Sequence, residues 1–350
     1  TAPVYRAALQ ACSALGFIAA DAQCLARAWQ ARFERTGSAD ASHWPDAPQD
    51  FGLQAQPHPQ AFAPCPQALG LYAVLPDANW VGRMARAGVP TVQLRFKSED
   101  AAAIAREVRA AVQAVQGTNA LLFINDHWQE ALAAGAYGVH LGQEDLDALA
   151  PEALVMLRAS GVRLGVSTHG YAEMLRADAV GPSYIAMGAV FPTTLKRMAT
   201  APQGVARLAA YARLMQQFPL VAIGGIGAEQ FAQIAATGVG SIAVVRALVN
   251  APNPEAAAAQ LMQALAGGQI YSEIPERDPA VDPRRIIRVR PTDRKPLLAS
   301  PERGGAAVGP GSVERFVVVV GAAPPGAVGQ LVVVEGGDDR QRGPHPLDRG

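Results

Sequence analysis

At 350 residues the chain is long for one domain and short for three, since a domain takes roughly 100–200 residues. Thirty Lys and Arg balance thirty Asp and Glu, and the resulting zero net charge argues against a polybasic nucleic-acid binder. Half the residues are hydrophobic, enough for a large core, and an odd set of three cysteines excludes a disulfide framework and points to a reducing, cytoplasmic compartment.

Residues 1–20 lean apolar, but Gln10 and Ser13 interrupt any signal-peptide core. Helical patterns follow at 5–15 and 19–35, where Ala22, Leu25, Trp29 and Phe33 recur at helical spacing. Residues 38–66 contain Pro and His and carry no period, so 1–68 reads as a helical extension and linker, too short for a catalytic domain of its own.

From residue 69 to 267 short β-rich runs alternate with amphipathic Ala/Leu segments. Strands are expected at 71–75, 91–96, 121–124, 138–141, 163–166, 184–187, 220–223 and 241–245. Helices are expected at 101–115, 126–134, 171–179, 205–217, 228–236 and 254–265. Eight strands, each with a helical segment after it, predict an α/β fold, the (β/α)₈ TIM barrel, with an open doubly wound sheet as the alternative.

Residues 268–350 form a Pro/Gly/Arg-rich tail. Its last 80 residues hold 11 Pro, 11 Gly and 11 Arg, a composition that predicts disorder. The uncharged stretch 316–334 is long enough to cross a membrane, but Pro324-Pro325 and several Gly would break a spanning helix. Its two valine runs read instead as a hairpin or as disordered chain, and no membrane association is expected.

A barrel places its chemistry at the C-terminal strand ends, and polar residues collect there. In Thr91-Val92-Gln93-Leu94-Arg95-Phe96-Lys97 the residues Gln93, Arg95 and Lys97 are two apart and share the interior face. Two cations and an amide there require a phosphate or diphosphate, or else ion pairs with barrel acids, because unpaired buried charge is costly. Asp126 and Asp145 end the neighbouring strands three and four, as hard-oxygen ligands for Mg²⁺ or as helix N-caps. Glu144 is an alternative ligand. Ser167, after strand five, reads as a phosphate acceptor or an N-cap. His127 and His169 read as acid/base groups or as polar loop residues.

The longest loop, 188–204, holds Thr193 and Lys196 and suggests a ligand clamp. Gly224-Gly225 after strand seven and Val245-Arg246 after strand eight suit a second phosphate. A metal-bound diphosphate leaving group and a second phosphorylated reactant describe a transferase.

These blocks also resemble a known family. Gln93-Leu94-Arg95-Phe96-Lys97, Ile124-Asn125-Asp126, Gly138-Val139-His140-Leu141-Gly142-Gln143-Glu144-Asp145, Gly165-Val166-Ser167-Thr168-His169, Phe191-Pro192-Thr193, Lys196 and Ala222-Ile223-Gly224-Gly225-Ile226 are similar, in order and spacing, to thiamine-phosphate synthase. The resemblance covers about 200 residues. It implies a barrel enzyme that couples hydroxymethylpyrimidine diphosphate to a thiazole phosphate, carboxylated or not. Pyrophosphate leaves first, with Mg²⁺ as cofactor.

By position the resemblance assigns Gln93, Arg95, Lys97, Asn125, Ser167 and Lys196 to the diphosphate. Lys97, Ser167 and Lys196 are the catalytic groups, and Asp126 and Asp145 the metal ligands. Thr193, Thr194, Gly225, Val245 and Arg246 fall on the thiazole phosphate. Leu195 stands where the family has a second Thr, and Arg246 replaces a small polar residue.

Residues 14–33 resemble the last helices of a hydroxymethylpyrimidine-phosphate kinase, but 1–68 contains no nucleotide site and no kinase activity is expected. The partners implied are small phosphorylated substrates, with a homo-oligomer left open. The rival readings are a thiazole-phosphate tautomerase-like barrel and a regulatory or non-enzymatic phospho-ligand binder.

Overall fold

The computed structural model describes residues 3–54, 56–193, 201–270, 315–320 and 331–336. Eight parallel strands close a barrel in sequence order: β1 Gly70–Leu75, β2 Thr91–Leu94, β3 Leu121–Asn125, β4 Gly138–Leu141, β5 Arg163–Thr168, β6 Tyr184–Met187, β7 Leu220–Ile223 and β8 Ser241–Val244. Closure comes from β1 pairing with β8, in the register Gly70 to Ser241. All eight expected strands are present, and the closed sheet excludes the open alternative.

Alternation along each strand divides the core in two. Val92, Leu94, Ile124, Val139, Leu141, Leu164, Val166 and Ile185 face outward into the layer beneath the helices. Tyr72, Val74, Phe123, Tyr184, Ala186, Val221 and Ala243 face inward. The inner layer is plugged by aromatic rings: Phe123 meets Tyr184 edge to face at 5.1 Å and Tyr72 at 6.0 Å. Gly138 and Gly165 make room for them, since a Cβ at either would collide with the Phe123 or Tyr184 ring.

The outer ring comprises α3 (Ala78–Arg86), α4 (Ala101–Ala114), α5 (Trp128–Ala134), α6 (Gln143–Ala148), α7 (Pro151–Ala159), α8 (Tyr171–Val180), α9 (Gly204–Leu214), α10 (Phe231–Ala235), α11 (Arg246–Val249) and α12 (Pro254–Ile270). Asp77 and Asp100 cap α3 and α4 by accepting free N–H groups of the first turn. The last helix is tied back to the first of the ring by the two-bond pair of Arg83 with Glu255.

Two helices precede the barrel, α1 (Pro3–Ala14) and α2 (Ala19–Thr36). Their apolar faces do not stand alone: Cys12, Ala22 and Leu25, with Phe51 and Phe62 from the segment after α2, belong to the same buried cluster as the helix-facing barrel residues. In the tail, the valine runs form an antiparallel pair, β9 (Arg315–Val320) with β10 (Leu331–Gly336). The expectation of disorder for the rest of the tail lies outside the described residues. No helix among the described residues is long and apolar enough to cross a membrane.

Candidate active site

A cavity of about 840 Å³ opens at the C-terminal end of the strands. Gln93, Arg95, Lys97, Asn125, Asp126, Asp145, Ser167, Thr193, Gly225, Val245 and Arg246 all line it, as do Glu144 and His169. Thr194, Leu195 and Lys196 lie outside the described residues.

Gln93 faces the interior as the alternation requires. The strand ends one residue later, and the Arg95 N–H still bonds the Leu75 carbonyl at 2.8 Å. Arg95 and Lys97 therefore project from the rim, not from the sheet as expected. That rim position keeps both cations near water, which lowers the cost of their charge. Arg95, half-buried, forms no ion pair among the described residues, whereas Lys97 bonds Asp126 at 2.7 Å. The ion-pair alternative thus holds for Lys97 alone.

Asp126 lies outside α5, which begins at Trp128 and not at 126 as expected. Its backbone is left-handed, φ 64°, a conformation that costs a non-glycine residue of order 1–3 kcal/mol. This turn carries the carboxylate into the mouth that Asp145 also lines, where the two charges act on each other. Burial pushes the Asp126 carboxyl up, but the Lys97 ammonium outweighs it and holds the group below its ordinary value. The Asp145 carboxyl is raised, by burial first and then by the Asp126 charge. Asp145 also accepts the Gly142 N–H at the start of α6 (3.2 Å), so its capping role and its place in the mouth coexist. Asp126 caps nothing, and the N-cap of α8 is Gly170, not Ser167.

These two carboxylates suit Mg²⁺. The ion keeps most of its waters and takes one or two protein carboxylates beside substrate phosphates. Two carboxylates that line one mouth and act on each other's charge form such a donor set. Among the described residues no group of three or more His, Cys, Asp or Glu forms a fuller cage.

Beneath the rim a hydrogen-bonded chain crosses the barrel. Gln93 Nε2 donates to Tyr72 Oη (2.9 Å), and the Tyr72 and Tyr184 hydroxyls bond at 2.7 Å. Tyr184 Oη reaches His140 Nδ1 (2.6 Å), and His140 Nε2 reaches Ser167 Oγ (2.8 Å). Burial holds both phenols above their ordinary value, so they stay protonated. Tyr72, Tyr184 and His140 were not singled out from the sequence, because a tyrosine or histidine in a strand run looks like any core residue. Only the closed topology brings β1, β4 and β6 together. Gln143 was likewise missed; it holds the Ser167 carbonyl at 2.7 Å. His169 is fixed by Glu173, which bonds its ring Nδ1 (2.6 Å) and its N–H (2.8 Å). His127 bonds the Phe96 carbonyl at 3.1 Å and does not line the cavity.

On the opposite wall Gly224 and Gly225 have φ of 106° and 66°. A Cβ at Gly225 would meet Phe191 and the Pro192 carbonyl, and one at Gly224 would meet Ala189. Glycine at both positions lets the 188–193 segment close against β7, where Val190 and Phe191 N–H groups bond the Ile223 and Gly224 carbonyls. Thr193 follows this closed segment and lines the cavity together with Gly225 and Arg246.

Cations and acids on one side of the mouth, with glycine-lined loops on the other, define an anion-binding (β/α)₈ barrel enzyme with its chemistry at the strand ends. A profile of the thiamine monophosphate synthase family matches residues 71–248, and the chain belongs to that family. It is similar to the thiamine-phosphate synthase of Neisseria meningitidis serogroup B, 53% identical over 195 residues, 56% of this chain and 94% of the relative. The enzyme of that name from Cronobacter sakazakii is 50% identical over 206 residues, 59% of this chain and 96% of the relative. Among solved structures, a thiamine phosphate pyrophosphorylase from Pyrococcus furiosus aligns with a TM-score of 0.50 at 28% identity, covering 57% of this chain and 96% of its own.

Proposed function

We propose that this protein is a thiamine-phosphate synthase, joining hydroxymethylpyrimidine diphosphate to thiazole phosphate with release of pyrophosphate, in the cytoplasm. The observation that carries the reading is the pairing in one mouth of Arg95 and Lys97 with the facing acids Asp126 and Asp145. That combination matches a leaving diphosphate and its counter-ion and has no purpose in a barrel that binds one neutral ligand. Residues 69–267 form the catalytic unit in this reading.

The C–O bond between the pyrimidine methylene and the diphosphate breaks first, and the thiazole nitrogen then attacks the methylene to form the C–N bond. No protein nucleophile takes part. The protein positions the two reactants and neutralises the departing charge, which is where an enzyme of this kind gains most of its rate. Gln93, Arg95, Lys97, Asn125 and Ser167 would hold the diphosphate, joined by Lys196. Thr193, Gly225, Val245 and Arg246 would hold the thiazole phosphate, with Thr194 beside them. Asp126 and Asp145 would hold Mg²⁺, which supplies charge neutralisation on the leaving group when bound.

The test is a coupling assay with both phosphorylated substrates, in Mg²⁺ or in excess chelator, reading thiamine phosphate as thiochrome fluorescence. Product is expected with Mg²⁺ and not with chelator. Absence of product from folded protein that still binds pyrophosphate would overturn this reading in favour of a phospho-ligand binder.

A further inference from the structure

The family match begins at residue 71, so α1, α2 and the turn at Pro48–Phe51 lie outside it. These segments converge on α8, the helix that follows the Ser167 loop. Its N-cap, Gly170, has no side chain to offer the first-turn N–H groups. The cap comes instead from α2. Asp21, 4% exposed, accepts the Ala172 N–H at 2.8 Å. Free N–H groups and the positive end of the helix dipole both favour a carboxylate there. Gly170 is the counterpart, since a Cβ at that position would strike the Asp21 carboxylate.

The neighbouring contacts point the same way. The buried Tyr171 hydroxyl accepts the Trp44 indole N–H at 2.9 Å, and its ring lies flat against Phe51 at 5.4 Å. At the far end of α8, Asp178 accepts the Gln54 N–H and the Gly181 carbonyl accepts the Phe62 N–H, each at 2.8 Å. Both ends of this one barrel helix are therefore fastened by residues that precede the barrel.

We propose that Asp21 is a positioning residue for the diphosphate side of the site. It caps α8 from outside the barrel and so fixes the β5–α8 loop that carries Ser167. The proposal rests on the reading of Ser167 as a diphosphate ligand. The route is short. A helix without its cap frays over its first turn. That turn holds Glu173, which anchors the backbone and ring of His169, and Ser167 is two residues further back. The thiazole-phosphate side stands on the loops after β6, β7 and β8, to which Asp21 makes no hydrogen bond among the described residues. Loss of the cap therefore weakens one substrate and spares the other.

The test uses the full chain with Asp21→Ala, Asp21→Ser, Asp21→Asn and Ser167→Ala. KM is measured for each substrate separately, and the Kd of inorganic pyrophosphate is measured with Mg²⁺ by calorimetry. Asp21→Ala should raise the pyrophosphate Kd and the pyrimidine diphosphate KM about fivefold, the size of a lost cap. The thiazole phosphate KM should stay within about twofold. Asp21→Asn keeps an acceptor oxygen and should restore both values. Asp21→Ser, too short to reach the Ala172 N–H from α2, carries the same expectation should the alanine variant not fold. Equal changes in the two KM values, or unchanged pyrophosphate affinity in a folded variant with a lower Tm, would make Asp21 merely structural and overturn the proposal. Unchanged pyrophosphate binding by Ser167→Ala would instead overturn the reading beneath it.

Discussion

Asp126 combines a strained backbone with an ion pair to an exposed lysine. The left-handed turn costs energy that only glycine would avoid, and the Lys97 bond, at a partly exposed site, returns little of it. The carboxylate also faces Asp145. Stability alone therefore favours glycine here. Asp126→Gly should raise unfolding free energy by up to about 1 kcal/mol while lowering turnover at least about a hundredfold, the scale of one lost electrostatic contact to a leaving group. Denaturant unfolding and the coupling assay together check it; a variant both less stable and active would sink the assignment. At this scale the polar strand ends were legible, because Gln93, Asn125 and Ser167 break apolar runs where a barrel puts its chemistry. The turn at Asp126 was not. Its sequence Asn125-Asp126-His127 serves equally well to start a helix, and only the aim of the carboxylate across the mouth selects the other conformation.

All eight strands stood out in the sequence because short β-branched runs punctuated by Gly and Ala/Leu segments leave little ambiguity about where a barrel strand lies. Four helices of the ring did not, among them the one-to-two-turn α6 and α11. The α3 segment is short and interrupted by Gly82, and α7 leaves Val155 and Met156 exposed, which blurs its apolar face. The small residues inside the barrel carried no visible signal either, since a glycine in a strand reads as a weakness until the ring it accommodates is known. Gly165 is such a case. Gly165→Ala should drive a methyl into the Tyr184 ring and destabilise by about 1–3 kcal/mol, the cost of overpacking a filled core. A thermal midpoint equal to that of the wild type would show that the ring can move aside.

Extension and barrel share one buried cluster, so they should unfold as one unit. Cys12, on α1, reports on this. Burial pushes its thiol from the ordinary 9.0 up to about 12, with the Arg207 charge opposing. The folded chain thus keeps this proton to a higher pH than the unfolded chain. Its contribution to stability is fully present below pH 9.0 and is lost as the pH rises through about 12. Urea unfolding over that window should show a falling midpoint in a single transition, and Cys12→Ala should flatten the fall. A separate early transition for the extension would contradict a common core. The sequence marks helices at 5–15 and 19–35 and a linker after them, but the barrel partners of these segments lie more than a hundred residues away. Local periodicity cannot announce such docking.

The chain from Gln93 to Ser167 has a direction. An amide nitrogen can only donate, so Tyr72 Oη receives from Gln93 and has its own hydrogen to pass on to Tyr184. Tyr184 in turn gives its hydrogen to His140 Nδ1, which leaves the imidazole hydrogen on Nε2, facing Ser167 Oγ. The reverse order also gives each contact one hydrogen, but it leaves the hydroxyl hydrogen of the buried Tyr72 without a place in the chain, and a buried unpaired donor is costly. The forward order fills an acceptor position on the serine oxygen and leaves the serine's own hydrogen uncommitted, at the lip of the cavity. An amide on one wall of the barrel thereby decides, through three intervening side chains, that the hydroxyl on the other wall is a donor, the polarity an incoming anion needs.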